Sequence, residues 1–575
     1  MSRGRAAAAA DAPLTLVVGD DALAINTAAE ICRLPGQRVT VIGSGGEDFA
    51  QAVMAAGARL VAGRGDSGDS LQRADVAEAA TIIAVSPDDQ LNLHAALMAR
   101  DANPGIRIVL RQFNRTLAHK IEQNLPDCAV LSLAWHSAAS YAATALDPSC
   151  FRGLQFPEPD GPLTGFVERV AAADDLARRS VAEVEAALGA RLVAIDGDTA
   201  IARDALIAGG ARLCLYGAIE RLMQSAPRAE EGTISADRMR ARRSSTRRRF
   251  LRANPYLWSF AGAAFVLFCL GTWHFHVTFK IDWLTAAYFV LATMTTTGYG
   301  DITPDRNVTS DVIMAMMLML AGVVFTGVFI AFAASMLTRA QGVRLQGLRR
   351  IKRRGHIVLC GAGSIGSGVI DLLLGFDKPL VVVEAMPDAA MVERARDLGF
   401  DLLTGDASRD ETLDLCNLDA AHSLIALTNF DTLNLEIALG ARVRNPNMPV
   451  VLRIADARFA ASIARHFDFR TTYSAAALAA PAFAGLARMP GARGRITLEG
   501  QEFAIGEYRM RDENGPPLPP GAIPIAVARE NRLVLIRDVA GLATGDRVLA
   551  LTPLLQSDNE ALAEPRAARV SAAMS

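Results

Sequence analysis

Cysteine is scarce and scattered: seven in 575 residues (Cys32, Cys128, Cys150, Cys214, Cys269, Cys360 and Cys416), with no C-x-x-C pair. No histidine joins them at metal-ligand spacing. This excludes a disulfide framework and a structural zinc site, and reads as buried thiols in a reducing compartment. Charge is sparse too, at 21% of residues, and nearly balanced at −2 net. Such a chain has no global basic field for nucleic acid. With 51% hydrophobic residues and a mean hydropathy of +0.22, it is also too apolar for disorder. No secretory leader is expected, because the apolar run Leu14–Val18 is short and ends in Gly19-Asp20-Asp21. The length suggests roughly four domain-sized pieces.

Two stretches lack Asp, Glu, Lys and Arg altogether, 253–279 and 312–338. Crossing a bilayer takes about 20 apolar helical residues, so each is expected to span. Before the first lie Arg238, Arg240, Arg242, Arg243, Arg247, Arg248, Arg249 and Arg252; after the second come Arg339, Arg344, Arg349, Arg350, Lys352, Arg353 and Arg354. Between the spans stand only Lys280 and Arg306, against Asp282, Asp301, Asp305 and Asp311. The positive-inside rule therefore puts both flanks, and both termini, in the cytoplasm of a multi-pass inner-membrane protein. Arginines in a polar juxtamembrane segment suit anionic headgroups; they are no voltage sensor, which spaces its arginines through an apolar helix.

Between the spans, Asp282–Met294 is apolar and aromatic but too short to cross, so it is expected to be a re-entrant helix. It runs into Thr295-Thr296-Thr297-Gly298-Tyr299-Gly300-Asp301. Irregular backbone at membrane depth is tolerated only where protein buries it or it lines an aqueous path. Alternate glycines let successive carbonyls face one axis, where they can replace the hydration shell of a potassium ion. The segment resembles the filter of two-helix potassium-channel pores, T-V-G-Y-G-D. The resemblance implies ion sites at the carbonyls of Thr296, Thr297, Gly298 and Tyr299 and the Thr296 hydroxyl, with Gly300 and Asp301 shaping the outer mouth. Thr297 departs from the usual Val, at a position whose side chain faces away from the ion in that family. One filter loop per chain implies a homotetramer. In the second span, Gly322 and Gly327 are candidate gating hinges, although small residues there also serve close helix packing.

The flanks repeat each other at an offset of 342 residues without a gap. Gly19 falls on Gly361, Val39 on Val381, Gly63 on Gly405, and Asp89-Gln90-Leu91-Asn92-Leu93 on Asp431-Thr432-Leu433-Asn434-Leu435. Arg100, Asn103, Pro104 and Arg111 match Arg442, Asn445, Pro446 and Arg453. Within each copy, strand-like runs (Leu14–Val18, Arg38–Ile42, Ile82–Val85, Ile106–Leu110, and Ile357–Cys360, Leu380–Val383, Leu424–Leu427, Val450–Leu452) alternate with helical periodicity. That pattern predicts a parallel, doubly wound sheet. A smaller α/β piece follows each copy, the first containing Arg191–Ile195 and Ala211–Tyr216, the second Ile525–Ala528 and Gly545–Leu549. The arrangement resembles RCK (KTN, TrkA-type) regulatory domains. The expected fold class is thus two cytoplasmic Rossmann-like α/β copies, each with a small C-terminal lobe, plus an all-α two-helix pore. The expected boundaries are a tail (1–12), a Rossmann lobe (13–150), a small lobe (151–224), a basic linker (225–252), the pore (253–338), a basic gating linker (339–354), a second Rossmann lobe (355–490), its small lobe (491–556) and a tail (557–575).

The copies differ in chemistry. Copy two reads Gly361-Ala362-Gly363-Ser364-Ile365-Gly366, a G-x-G-x-x-G closing a strand and opening a helix, with Glu384 ending the next strand and Gly405-Asp406 following a later one. The glycines permit a tight turn and close approach of a pyrophosphate to the helix N-terminus, while the carboxylate can bond ribose hydroxyls and would repel a 2′-phosphate. The expected cofactor site is Gly361, Gly363, Ser364, Ile365, Gly366, Glu384 and Asp406, holding NAD(H) or an adenine nucleotide. Copy one answers with Gly19, Asp21, Ala24 and Ile42, placing a carboxylate where the pyrophosphate should lie and offering no ribose acceptor. It is expected to have lost nucleotide binding.

The function this implies is a potassium-selective channel gated by a nucleotide on copy two, without enzymatic activity and without a nucleic-acid partner. The alternatives are a membrane-anchored NAD-dependent oxidoreductase, for which His422 and His466 are poor acid/base candidates, and a regulatory subunit of a potassium transporter. Both leave the filter segment unexplained.

Overall fold

A computed structural model describes residues 12–34, 36–157, 161–171, 176–224, 255–304, 307–345, 350–487, 491–510, 518–529 and 532–554. The basic segment 225–252 and the tails (1–12 apart from Ala12, and 557–575) lie outside the described residues. The chain divides into two units: residues 1–226 with 348–575, and residues 227–347.

Copy one folds on β-branched and leucine-rich strands, buried on both faces as a parallel sheet requires. Strands β1 (Leu14–Val18), β2 (Arg38–Gly43), β3 (Arg59–Ala62), β4 (Ala79–Ala84), β5 (Arg107–Arg111) and β6 (Cys128–Leu131) form one parallel sheet in the order β3-β2-β1-β4-β5-β6. The order reverses between β1 and β4, which opens the crevice at the carboxyl ends of these strands where doubly wound folds take ligands. Helix α1 (Ala22–Cys32) follows β1 and buries Leu23, Ala24, Thr27, Ala28 and Ile31. Helix α2 (Leu133–Leu146) then leaves the sheet for the antiparallel small lobe, where β7 (Cys150–Gln155), β8 (Leu163–Val170), β9 (Arg191–Ile195) and β10 (Arg212–Ala218) pair in the order β7-β8-β10-β9. The helix Val181–Leu188, closed by a Ser180/Glu183 capping box, completes that lobe.

The second unit holds three helices, α3 (Pro255–Phe279), α4 (Trp283–Met294) and α5 (Thr309–Leu345). Gly262–Phe279 and Thr309–Val328 are long and apolar enough to cross a membrane. Helix α5 continues seven residues beyond the charge-free stretch, because 339–345 lacks proline and is rich in helix-forming side chains. Phe275 of α3, Phe289, Val290 and Met294 of α4, and Ala315 and Leu318 of α5 form the core that seats α4 between the two long helices.

Copy two repeats the first sheet. Its strands β11 (Ile357–Cys360), β12 (Leu380–Glu384), β13 (Asp401–Thr404), β14 (Ser423–Ala426), β15 (Val450–Arg453) and β16 (Thr472–Tyr473) lie in the order β13-β12-β11-β14-β15-β16. Helix α6 (Ser364–Leu373) follows β11, and α7 (Ala475–Leu486) leads to the second small lobe. That lobe holds β17 (Ala492–Leu498), β18 (Gln501–Arg509), β19 (Ile523–Arg529), β20 (Arg532–Leu535) and β21 (Arg547–Pro553), ordered β17-β18-β21-β19-β20. Its described residues carry strands, and the crossover segment 511–517 between β18 and β19, where the helix of the expected α/β lobe would fall, lies outside them.

The copies exchange helices. Ala134, Ala138, Tyr141, Ala142 and Ala145 of α2 are buried with Ile357 and Leu359 of β11 and with Ile365, Val369 and Ile370 of α6. Reciprocally, Ala476, Ala479, Ala480 and Phe483 of α7 are buried with Val17, Val39, Leu23, Ala24 and Ile31 of copy one. Two equivalent bonds mark the pseudo-twofold: Ser423 Oγ donates to Ala145 O at 2.7 Å, and Thr81 Oγ1 to Ala487 O at 3.4 Å. The small lobes also share a core, with Phe156, Phe166, Val193 and Tyr216 against Ile496, Phe503, Ile525 and Leu549.

Candidate functional sites

In the membrane unit, Asp282 caps α4, accepting from Thr285 N at 3.0 Å and from Thr285 Oγ1 at 2.6 Å. This aims the C-terminal end of the helix, the negative end of its dipole, at the loop 295–301. There the backbone is left-handed at every second residue: φ is +60° at Thr296, +52° at Gly298 and +75° at Gly300. Alternation of this kind turns successive carbonyls to one side. A β-branched Thr in this region is strained. The loop is held by hydrogen bonds into the end of α4, from Thr296 N to Thr293 O at 3.2 Å, Thr297 N to Ala292 O at 2.9 Å and Gly298 N to Ala292 O at 3.2 Å. Among the described residues, no backbone N–H donates to the carbonyls of Thr296, Thr297, Gly298 or Tyr299.

The loop's flanks are fixed as well. Tyr288 Oη donates to Asp301 Oδ2 at 3.0 Å, and Tyr288 stacks on Tyr299 with ring centroids 6.2 Å apart. The departure from Val at Thr297 is satisfied locally, because its hydroxyl lies 2.9 Å from the Thr295 hydroxyl. Of the two hinge candidates, Gly322 is buried against α4, where an added Cβ would lie 2.2 Å from Met294 O; at Gly327 a Cβ would meet nothing within 4 Å. Gly322 therefore has a packing reason to be glycine, and among the described residues nothing crowds Gly327.

The crevice of copy two is assembled by β11, β12, β14 and α6. Gly361 has φ +96°, and a Cβ there would lie 3.0 Å from the backbone of Leu427 and Thr428. At Gly366 a Cβ would lie 2.2 Å from Gly361 O, so only glycine lets α6 start this close to β11. Gly363 differs from both. It precedes α6 at φ −61°, and a Cβ there would meet nothing within 4 Å. Ser364 opens the helix; Ile365 is buried and anchors it. Glu384 ends β12 with its carboxylate beneath the glycine turn, accepting from Ala362 N at 2.7 Å and Ala385 N at 3.0 Å. Asp406 accepts from Ser408 N at 3.0 Å and Ser408 Oγ at 2.8 Å, and these bonds hold its carboxyl below the usual range.

The structure adds residues that were visible only as matches in the repeat. Asn434 bridges two strand ends, accepting from Thr428 N at 2.8 Å and donating to Arg453 O at 2.9 Å. Arg453 reaches back over that end, with Nη1 2.9 Å from Asn429 Oδ1. Copy one keeps this frame, with Asn92 bonded to Ser86 N at 2.8 Å and Arg111 O at 3.1 Å. Ile42, at the Glu384 position, is fully buried and apolar.

Residues 15–130 and 357–470 each match the TrkA-N domain, and residues 257–339 match the ion channel domain. The chain carries an ion-channel domain between two TrkA-N domains. It is 27% identical over 179 residues to "Probable potassium channel protein 2" of Methanocaldococcus jannaschii, across 30% of this chain and 52% of that protein. It is 26% identical over 186 residues to "Voltage-gated potassium channel Kch" of Escherichia coli, across 30% of this chain and 42% of that one. The match thus spans about half the length of these curated relatives. Among solved structures, "GsuK Channel" aligns with 95% of this chain and 77% of its own at 13% identity and a TM-score of 0.48. The ion-channel match covers α3 from its third residue, α4 and the whole charge-free part of α5; the TrkA-N matches cover the two doubly wound sheets, the second short of β16, without their small lobes.

Proposed function

We propose that this chain is the subunit of a homotetrameric, potassium-selective channel of the inner membrane, with both termini cytoplasmic, gated by NAD(H) or an adenine nucleotide bound to copy two. The observation that carries the reading is the loop after α4. Left-handed backbone at Thr296, Gly298 and Gly300, and carbonyls that receive no backbone donor among the described residues, are what a dehydrating ion site requires. One such loop per chain supplies a quarter of a filter, hence four subunits. The names of the relatives from Methanocaldococcus and Escherichia support the choice of ion.

Gating follows from how the crevice of copy two is built. A nucleotide whose pyrophosphate meets the N-terminus of α6 and whose ribose meets Glu384 touches a helix that packs along its other face on α2 of copy one. Binding therefore biases the packing of the two copies, and the segment 339–354 joins copy two to the second span in the chain. An oxidoreductase would need an acid/base at the crevice. His422 Nε2 instead donates to Leu146 O at 3.1 Å inside the contact between copies, and His466 is exposed on the helix Ala457–Phe467.

Liposomes containing the purified protein test the reading. Potassium efflux well above sodium efflux, changed by ADP or NAD(H) added on the side of the TrkA-N domains, is the expected result. Equal fluxes of the two ions overturn the pore assignment, and a nucleotide-blind flux overturns the gating assignment.

A further inference from the structure

The Asp21 side chain of copy one does more than crowd its crevice. Its Oδ1 accepts from Leu23 N at 3.0 Å and Ala24 N at 3.1 Å, the free amides opening α1. Its Oδ2 accepts from Arg111 Nη1 at 2.9 Å, and the two side chains are only 29% and 18% exposed. The carboxylate is thus held as a bound anion would be, by two helix amides and a guanidinium brought in from the end of β5. At the repeat offset, the corresponding groups in copy two are Ile365 N, Gly366 N and Arg453, whose Nη1 donates instead to Asn429 Oδ1 at 2.9 Å and Thr428 O at 3.3 Å. The carboxylate is missing there, because Gly363 has no side chain and its Cβ position is open.

We infer that Asp21 is a built-in substitute for a ligand phosphate. Copy one retains a diphosphate-binding crevice occupied by its own carboxylate, and it holds the ligand-bound arrangement at all times. The inference deepens the nucleotide reading of copy two: one copy senses and its twin is locked. It also names what the latent site takes once emptied. Two amides and an arginine recognise a phosphate group, and buried Ile42 offers nothing to a ribose, so the diphosphate rather than the sugar would carry recognition.

A reciprocal exchange tests this on the full chain in detergent, with ADP binding followed by calorimetry. Asp21→Gly empties the crevice of copy one. Gly363→Asp places a carboxylate at a position whose extended backbone (φ −61°, ψ −162°) resembles that of Asp21 (φ −111°, ψ 178°). The expected counts are one ADP per chain for the parent and two for Asp21→Gly, the second weaker, with at least tenfold weaker binding for Gly363→Asp. A parent that binds no ADP while Asp21→Gly binds one overturns the nucleotide reading of copy two and supports the inference. Asp21→Gly with the same count as the parent overturns the inference. Should Asp21→Gly fail to fold, Gly363→Asp, which removes no existing bond, decides alone: unchanged ADP affinity overturns the inference.

Discussion

Gly363 and Gly366 stand three residues apart in one turn, yet the structure gives them separate reasons to lack a side chain, so alanine at each should affect stability differently. At Gly366 the new Cβ falls 2.2 Å from Gly361 O. An ordinary C···O contact needs about 3.3 Å, so α6 must retreat by about 1 Å from a turn that α2 already braces from behind. Overpacking of that kind costs ~1–3 kcal/mol. At Gly363 the Cβ meets nothing and φ is that of an ordinary residue, so the folded state loses at most ~1 kcal/mol through a poorer helix cap. On the proposed nucleotide reading, the same Cβ would stand beside the pyrophosphate at the start of α6. Thermal midpoints with and without ADP separate the two effects, since ligand at 100 times Kd adds about 2.7 kcal/mol. Gly363→Ala should keep nearly the parent midpoint and lose most of the ADP-induced rise. Gly366→Ala should lower the midpoint by several degrees and lose the rise as well. Gly363→Ala with a full ADP response, or Gly366→Ala as stable as the parent, would refute the reasoning.

Three further outcomes are expected. Glu384→Ala removes the carboxylate beneath the glycine turn, and a hydrogen bond to a charged acceptor is worth ~1.5–3 kcal/mol, so ADP affinity by calorimetry should fall by one to two decades while ion selectivity is unchanged. Gly298→Ala places a Cβ at φ +52° in the carbonyl row, and potassium flux from liposomes should be abolished while the thermal midpoint of the TrkA-N domains stays at the parent value. Burial holds His422 and His356 below the usual histidine range, so the folded protein disfavours their charged forms. The stability they contribute is present above about pH 6.5 and is lost as pH falls below it. Thermal midpoints measured between pH 7.5 and 5.5 should fall, and His422→Gln should shallow that slope.

The pore and the duplication were legible because each rests on local, repeated signals: charge-free stretches, a seven-residue filter segment, and one offset that holds from Gly19 to Arg111. The glycine turn with Glu384 was legible for the same reason, since its residues lie within one strand–helix–strand unit. The exchange of helices was not read, although α2 and α7 carried a signal. Both are nearly all small or apolar around their whole circumference, so neither could be a half-exposed crossover helix on a single sheet. The partner of Asp21 was out of reach in another way. Asp21 and Arg111 are 90 residues apart, and only the sheet order, which sets β1, β4 and β5 side by side, brings them together.

The central claim is a carbonyl-lined potassium pore under the control of copy two. Current through purified protein in a planar bilayer, with potassium on one side and sodium on the other and ADP added to the TrkA-N side, tests it most directly. The account predicts a reversal potential strongly displaced toward the potassium equilibrium value and a current whose amplitude, but not reversal, changes with ADP. Reversal near zero, or a current indifferent to ADP, would contradict it.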